Sequence, residues 1–176
     1  MQVVNILLGD VKVLQSPNFQ DQRGGFFKLF NGLDEHLKHY AIEQVNYVQN
    51  KQKGILRGLH YQKGDYAESK FFRALKGKIQ LAFADLRPKS PTYLKATTFT
   101  LGQPDMGVLI PRGFATGYLT LEDDSDVLYY SDNIYKPETE GGIRWNDPKF
   151  KLQWLSFKPN LSAKDQNWSD FDETSL

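Results

Sequence analysis

Lys78-Ile79-Gln80-Leu81-Ala82-Phe83-Ala84-Asp85 decides the fold class. Ile79, Leu81 and Phe83 recur at every second position, which puts all three on one face of a β-strand. Working outward, short β-branched or aromatic runs at 97–101, 107–110, 117–121 and 126–130 repeat the strand signal. Turn formers separate them at Lys76-Gly77, Lys89-Ser90-Pro91, Gln103-Pro104-Asp105, Pro111-Arg112-Gly113 and Glu122-Asp123-Asp124. Many short strands at near-regular spacing predict an all-β sandwich or barrel. One helix is expected at 33–40, where Leu33, Leu37 and Tyr40 share a helical face. The polar stretch 159–176, with Trp168 and Phe171, is expected to form a short helical or irregular tail. With no repeat, low-complexity tract or linker, the expectation is one domain spanning residues 1–176.

Composition narrows the function. The 176 residues can bury a real core, and a net charge of +1 offers no broad basic field for nucleic acid. The absence of cysteine removes disulfides, thiol catalysis and zinc-thiolate sites, and fits a reducing compartment. Residues 1–10 lack the basic and apolar regions of a signal peptide, and no apolar run is long enough to span a bilayer. A soluble, cytoplasmic protein is expected, and its 14% aromatic content suits a β core or a surface for flat rings and sugars.

The chemistry concentrates in Gly54-Ile55-Leu56-Arg57-Gly58-Leu59-His60-Tyr61-Gln62. Three positions apart on a strand, Arg57 and His60 would face opposite ways. Gly58 between them predicts a bulge or a close backbone approach, which re-aims side chains. A cation for phosphate and a titratable base then share one pocket; a hydrogen-bonded core histidine is the plainer alternative. His36 and His39 read as a solvated helix face, and His60 has no second histidine on its strand, so no metal site is expected. Nucleophile-elbow and Walker-type phosphate loops are absent, which leaves general acid–base chemistry. On a strand Tyr129 and Tyr130 face opposite ways, so one of them points inward.

These motifs combine into a resemblance. Asp21-Gln22-Arg23-Gly24-Gly25-Phe26, Gln44-Val45-Asn46, the 57–62 segment and Lys70, ten residues after His60, come first. Asp85-Leu86-Arg87, Ser90-Pro91-Thr92-Tyr93 and Pro111-Arg112-Gly113-Phe114-Ala115 follow. Tyr129, Tyr135-Lys136-Pro137, Glu140, Trp145-Asn146-Asp147-Pro148 and Leu161-Ser162-Ala163-Lys164-Asp165 close the series. From about Phe19 to Asp165 the chain resembles the dTDP-4-dehydrorhamnose 3,5-epimerases, cofactor-free enzymes with a cupin-type jelly roll. The resemblance implies a nucleotide-diphospho-4-keto-6-deoxysugar substrate, with GDP- or CDP-linked keto sugars and a non-catalytic sugar-binding cupin as alternatives. By the same resemblance His60 is the base that removes a proton beside the C4 ketone, Asp165 its carboxylate partner, Tyr129 the acid on the opposite face, and Lys70 the cation near the C4 oxygen. Arg23, Arg57 and Lys164 are implied as nucleotide and diphosphate contacts, with Gln44 and Asn46 beside them. Tyr135 is implied as the base-stacking ring and Glu140 as a further substrate contact. A homodimer with shared N-terminal strands is implied as well, so that Arg23 and Phe26 serve the partner's site.

Three positions depart from the family pattern. Thr116 stands where the family has a second active-site histidine, and Leu81 where that histidine has its aspartate partner. Joint loss of both members points to narrowed chemistry, with one carbon inverted or a different nucleotide sugar; a harmless change in a secondary contact is the plainer reading. Lys28 replaces a glutamate near the nucleotide.

Overall fold

The computed structural model describes residues 1–156 and 158–175. Among them lie β1 (Gln2–Leu7), β2 (Val11–Gln15), β3 (Asn18–Asp21), β4 (Gly24–Phe27), β5 (Gln44–Asn50), β6 (Leu56–Gln62) and β7 (Lys70–Lys76). The series continues with β8 (Ile79–Asp85), β9 (Ala96–Leu101), β10 (Met106–Ile110), β11 (Phe114–Thr120), β12 (Ser125–Ser131) and β13 (Glu140–Gly142), followed by the short helix α1 (Ala163–Gln166). One sheet has the order β1-β2-β10-β7-β12-β5 and the other β13-β6-β11-β8-β9, while β3 and β4 pair only with each other. All these pairings are antiparallel.

Ile79, Leu81 and Phe83 meet Val11, Val13, Phe72, Val108 and Val127 in one buried cluster drawn from both sheets. The all-β expectation holds, and the period-two face is the inner face. The other face of β8 is also covered: Ala82 and Ala84 lie under Ile143, Phe150, Trp154 and Phe171. The C-terminal stretch therefore crosses the back of this sheet, and a bridge from Ile55 to Asn160 ties it to the start of β6.

The expected helix at 33–40 is not formed; the segment is a series of turns. Asp34 is the cause. Its carboxylate accepts from the Met1 amino group and from the His36 backbone N–H, while its carbonyl takes the N–H groups of Leu37 and Lys38. Only Leu37 is driven into the core, and Leu33 is 92% exposed. The tail matches its expectation, with α1 capped by Ser162, whose hydroxyl accepts the Asp165 N–H at 3.1 Å.

Candidate active site

The strand carrying Arg57 and His60 is bulged. Across the β6–β11 ladder Tyr118 faces Arg57 and Thr116 faces His60, so Gly58 and Leu59 of β6 oppose the single Gly117 of β11. Gly58 occupies positive φ (+123°), and a Cβ there would lie 2.4 Å from the Gly117 Cα. The re-aiming expected of Gly58 is what brings both polar side chains to one cavity of about 290 Å³. Arg57, His60, Lys70, Thr116, Tyr129, Lys164 and Asp165 line it, together with Val48, Phe72, Gly117, Tyr118 and Ser162. An adjoining space of about 100 Å³ shares His60, Lys70 and Tyr129 and adds Glu68, Tyr135 and Glu140.

His60 Nε2 and Asp165 Oδ1 are 2.5 Å apart, the imidazole partly exposed and the carboxylate buried. Ser162 Oγ donates to the other carboxylate oxygen at 3.0 Å. Burial pushes the Asp165 carboxyl upward, but the bonds from His60 and Ser162 outweigh it and hold the group below its ordinary value. A charged carboxylate therefore fixes one ring nitrogen and leaves the other to take a proton.

Tyr129 points inward and stacks on Phe72 with ring centroids 5.0 Å apart, whereas Tyr130 points to the outer face against Phe71. Burial first, then the charge of Glu68, pushes the Tyr129 phenol up to about 12. Lys70, on the same inner face as Phe72, has its Nζ 3.0 Å from Glu68 Oε1.

Arg57 and Lys164, cations suited to phosphate, also line the cavity. Asn50 Oδ1 accepts from Arg57 Nε at 3.0 Å and lies 3.4 Å from the Tyr118 hydroxyl. Glu140 accepts from the Tyr135 hydroxyl at 2.6 Å and from Lys164 Nζ. Burial opposes ionisation of Glu140, but those two donors hold its carboxyl below the usual value. Gln44 reaches Asn46 Oδ1 at 2.9 Å and accepts the Tyr135 backbone N–H at 2.9 Å, which links β5 to the half-exposed Tyr135 ring.

Five expected site residues line neither space within the chain: Gln44 and Asn46, which reach it only through Tyr135, and Arg23, Phe26 and Lys28. Arg23, Phe26 and Lys28 are exposed, because the β3–β4 hairpin pairs only with itself. Arg23 instead holds Asp21 at 2.6 Å. Thr116 is buried against the cavity, and Leu81 is fully buried in the core. Residues the sequence reading missed are Glu68, Asn50, Phe72 and Tyr118. Phe72 and Tyr118 carry only the signal of an inward strand position; nothing local marks Glu68 or Asn50. Among the described residues no group of three or more His, Asp or Glu is placed to hold a metal, and no helix is long and apolar enough to cross a membrane.

Comparison with known proteins finds one family over most of the chain. The family model described as dTDP-4-dehydrorhamnose 3,5-epimerase matches residues 5–173. The dTDP-4-dehydrorhamnose 3,5-epimerase of Salmonella typhimurium is 36% identical over 94% of this chain and 92% of its own. A solved dTDP-4-dehydrorhamnose 3,5-epimerase from Bacillus anthracis, with TDP and PPi bound, superposes with a TM-score of 0.91 at 30% identity, covering 97% of this chain and 99% of that one. A dTDP-6-deoxy-D-glucose-3,5-epimerase from Legionella pneumophila, in complex with dTDP-4-keto-L-rhamnose, gives 0.92 at 29% identity, covering 99% and 96%. The all-β fold is thus of the cupin type found in those enzymes.

Proposed function

The chain belongs to the dTDP-4-dehydrorhamnose 3,5-epimerase family, and from that premise we propose that it is a cofactor-independent epimerase of a nucleotide-diphospho-4-keto-6-deoxysugar, with a dTDP-linked hexose favoured. His60 removes the proton beside the C4 ketone, Lys70 faces the oxygen where enolate charge grows, and Tyr129 returns a proton from the other side. Asp165 fixes the imidazole and stabilises its charged form. Arg57 and Lys164 hold the diphosphate; Gln44, Asn46, Tyr135 and Glu140 contact the nucleotide and sugar. The protein acts as a single domain and a homodimer, with Arg23 and Phe26 of the exposed hairpin serving the partner's cavity and Lys28 beside the nucleotide. A chain without cysteine that handles activated sugars suits the reducing cytoplasm.

The physical demand supports this division of labour. A proton α to a ketone is about a dozen pKa units less acidic than imidazolium, on the order of 16 kcal/mol. A base alone cannot offset that, so a fixed cation at the developing oxyanion is required. Positioned general acid–base groups contribute a further ~10²–10⁴-fold.

One observation carries the reading: the His60–Asp165 pair opens into the same cavity as Tyr129 and Lys70. The test is an NMR time course in heavy water with a panel of 4-keto nucleotide sugars. Wash-out of α-hydrogens that disappears in His60→Ala is the expected result. Tight binding with no exchange would instead make the protein a sugar-binding cupin.

A second reading concerns extent. With the neutral Thr116 beside His60 and Leu81 sealed in the core, that wall offers no second acid–base pair, which favours inversion at one carbon. Wash-out at both C3 and C5 with full double inversion would exclude it.

A further inference from the structure

We propose that Glu68 is a positioning residue whose carboxylate clamps Lys70, so that the ammonium meets the substrate's ketone oxygen in one orientation. The proposal rests on the epimerase reading above and assigns a role to a side chain that no sequence motif marks.

Glu68 and Lys70 are both largely buried, with Oε1 3.0 Å from Nζ. The other carboxylate oxygen accepts from the hydroxyl of Ser131, which is 1% exposed and sits directly opposite Lys70 across the β7–β12 ladder. The segment carrying Glu68 is itself pinned. The Ser69 N–H donates to Asp132 Oδ1 at 2.6 Å, and the Ser69 carbonyl accepts from the Tyr40 hydroxyl at 2.8 Å. Glu68 is thus a fixed anion held by two donors, whereas a lysine is a point charge on a flexible four-carbon stem. Electrostatic stabilisation of an oxyanion works only when the cation is already in place. With one N–H bond committed to Glu68, the ammonium keeps two for substrate.

An anion this close also opposes negative charge on the ketone oxygen, so positioning and repulsion predict opposite signs for its removal. Positioning predicts that Glu68→Gln lowers kcat by roughly 10- to 100-fold, the loss expected for a misplaced catalytic group. KM should move by less than about threefold, because ground-state binding is spared. Glu68→Asp, which keeps the charge but shortens the reach, should recover part of the loss.

The deciding experiment is a double-mutant cycle with Lys70→Met, reading kcat, KM and α-hydrogen exchange, with dTDP affinity and circular dichroism as checks on folding. If Glu68 acts through Lys70, Glu68→Gln changes kcat by less than about twofold on the Lys70→Met background. Additive losses, unchanged kcat in the single variant, or faster turnover would each overturn the proposal. Absence of exchange in the unmodified protein would instead overturn the epimerase reading, so the two failures are distinct.

Discussion

Gly58 and Gly117 touch backbone to backbone where the paired strands β6 and β11 line the cavity, closely enough that a methyl group on Gly58 would lie 2.4 Å from the Gly117 Cα. A Cβ on Gly117 would in turn meet the Arg57 carbonyl oxygen at 2.7 Å. The bulge that turns Arg57 and His60 into one cavity depends on both residues lacking a side chain. Gly58→Ala and Gly117→Ala should each cost more than about 1 kcal/mol in stability, measured by urea unfolding, and should lose α-hydrogen exchange even where the fold survives. Full activity in either variant would show that the bulge is dispensable.

Asp165→Asn should reduce exchange by roughly 10²- to 10⁴-fold, the range a positioned acid–base system supplies. The pH dependence of stability gives a second check. Because the folded carboxyl lies below its ordinary value, its contribution is present above about pH 4 and is lost as pH falls through that value towards the depressed one. The stability gap between the parent protein and Asp165→Asn should therefore narrow on acidification, and a gap independent of pH would mean the pair is not charged.

Tyr129→Phe should retain some exchange at the α-carbon while inversion stops, since only the returning proton is removed. A phenol pushed up to about 12 stays protonated at neutral pH and surrenders its proton only to a strong base such as an enolate. The raised value favours the fold below about pH 10, and this contribution is lost as pH climbs towards 12. The parent should lose stability relative to Tyr129→Phe above about pH 10. Undiminished inversion in the variant would remove Tyr129 from the reaction.

Arg23 is 85% exposed at its side chain and remote from its own chain's cavity. If the hairpin serves a second copy, Arg23→Ala and His60→Ala protomers should complement each other when unfolded together and refolded. Mixed dimers hold one intact site, so about a quarter of the parent activity should return. No recovery would confine Arg23 to a role outside catalysis.

Much of this was readable from residue order. The alternation of Ile79, Leu81 and Phe83 found the inner face, and Gly58 announced the bulge. The 70–76 strand did not announce itself, because Phe71 and Phe72 are adjacent and Arg73 is buried, donating to the Leu29 and Pro104 carbonyls and the Ser16 hydroxyl. No periodicity survives burial on both faces. The 33–40 segment misled in another way: its apolar residues have a helical spacing, but Leu33 lies exposed and the stretch closes only as turns around Asp34. Glu68 was invisible because Ser131, which holds its second carboxylate oxygen, meets it only once β7 and β12 have paired.

Asp165 follows His60 by 105 positions and rides on the strap that crosses the back of the second sheet. A ribosome making this protein must therefore add 105 residues after the imidazole before its carboxylate exists. Catalytic competence thus arrives after the strands that bear the base have been able to pair, and a nascent chain halted short of Asp165 would hold an imidazole with no carboxylate to orient it.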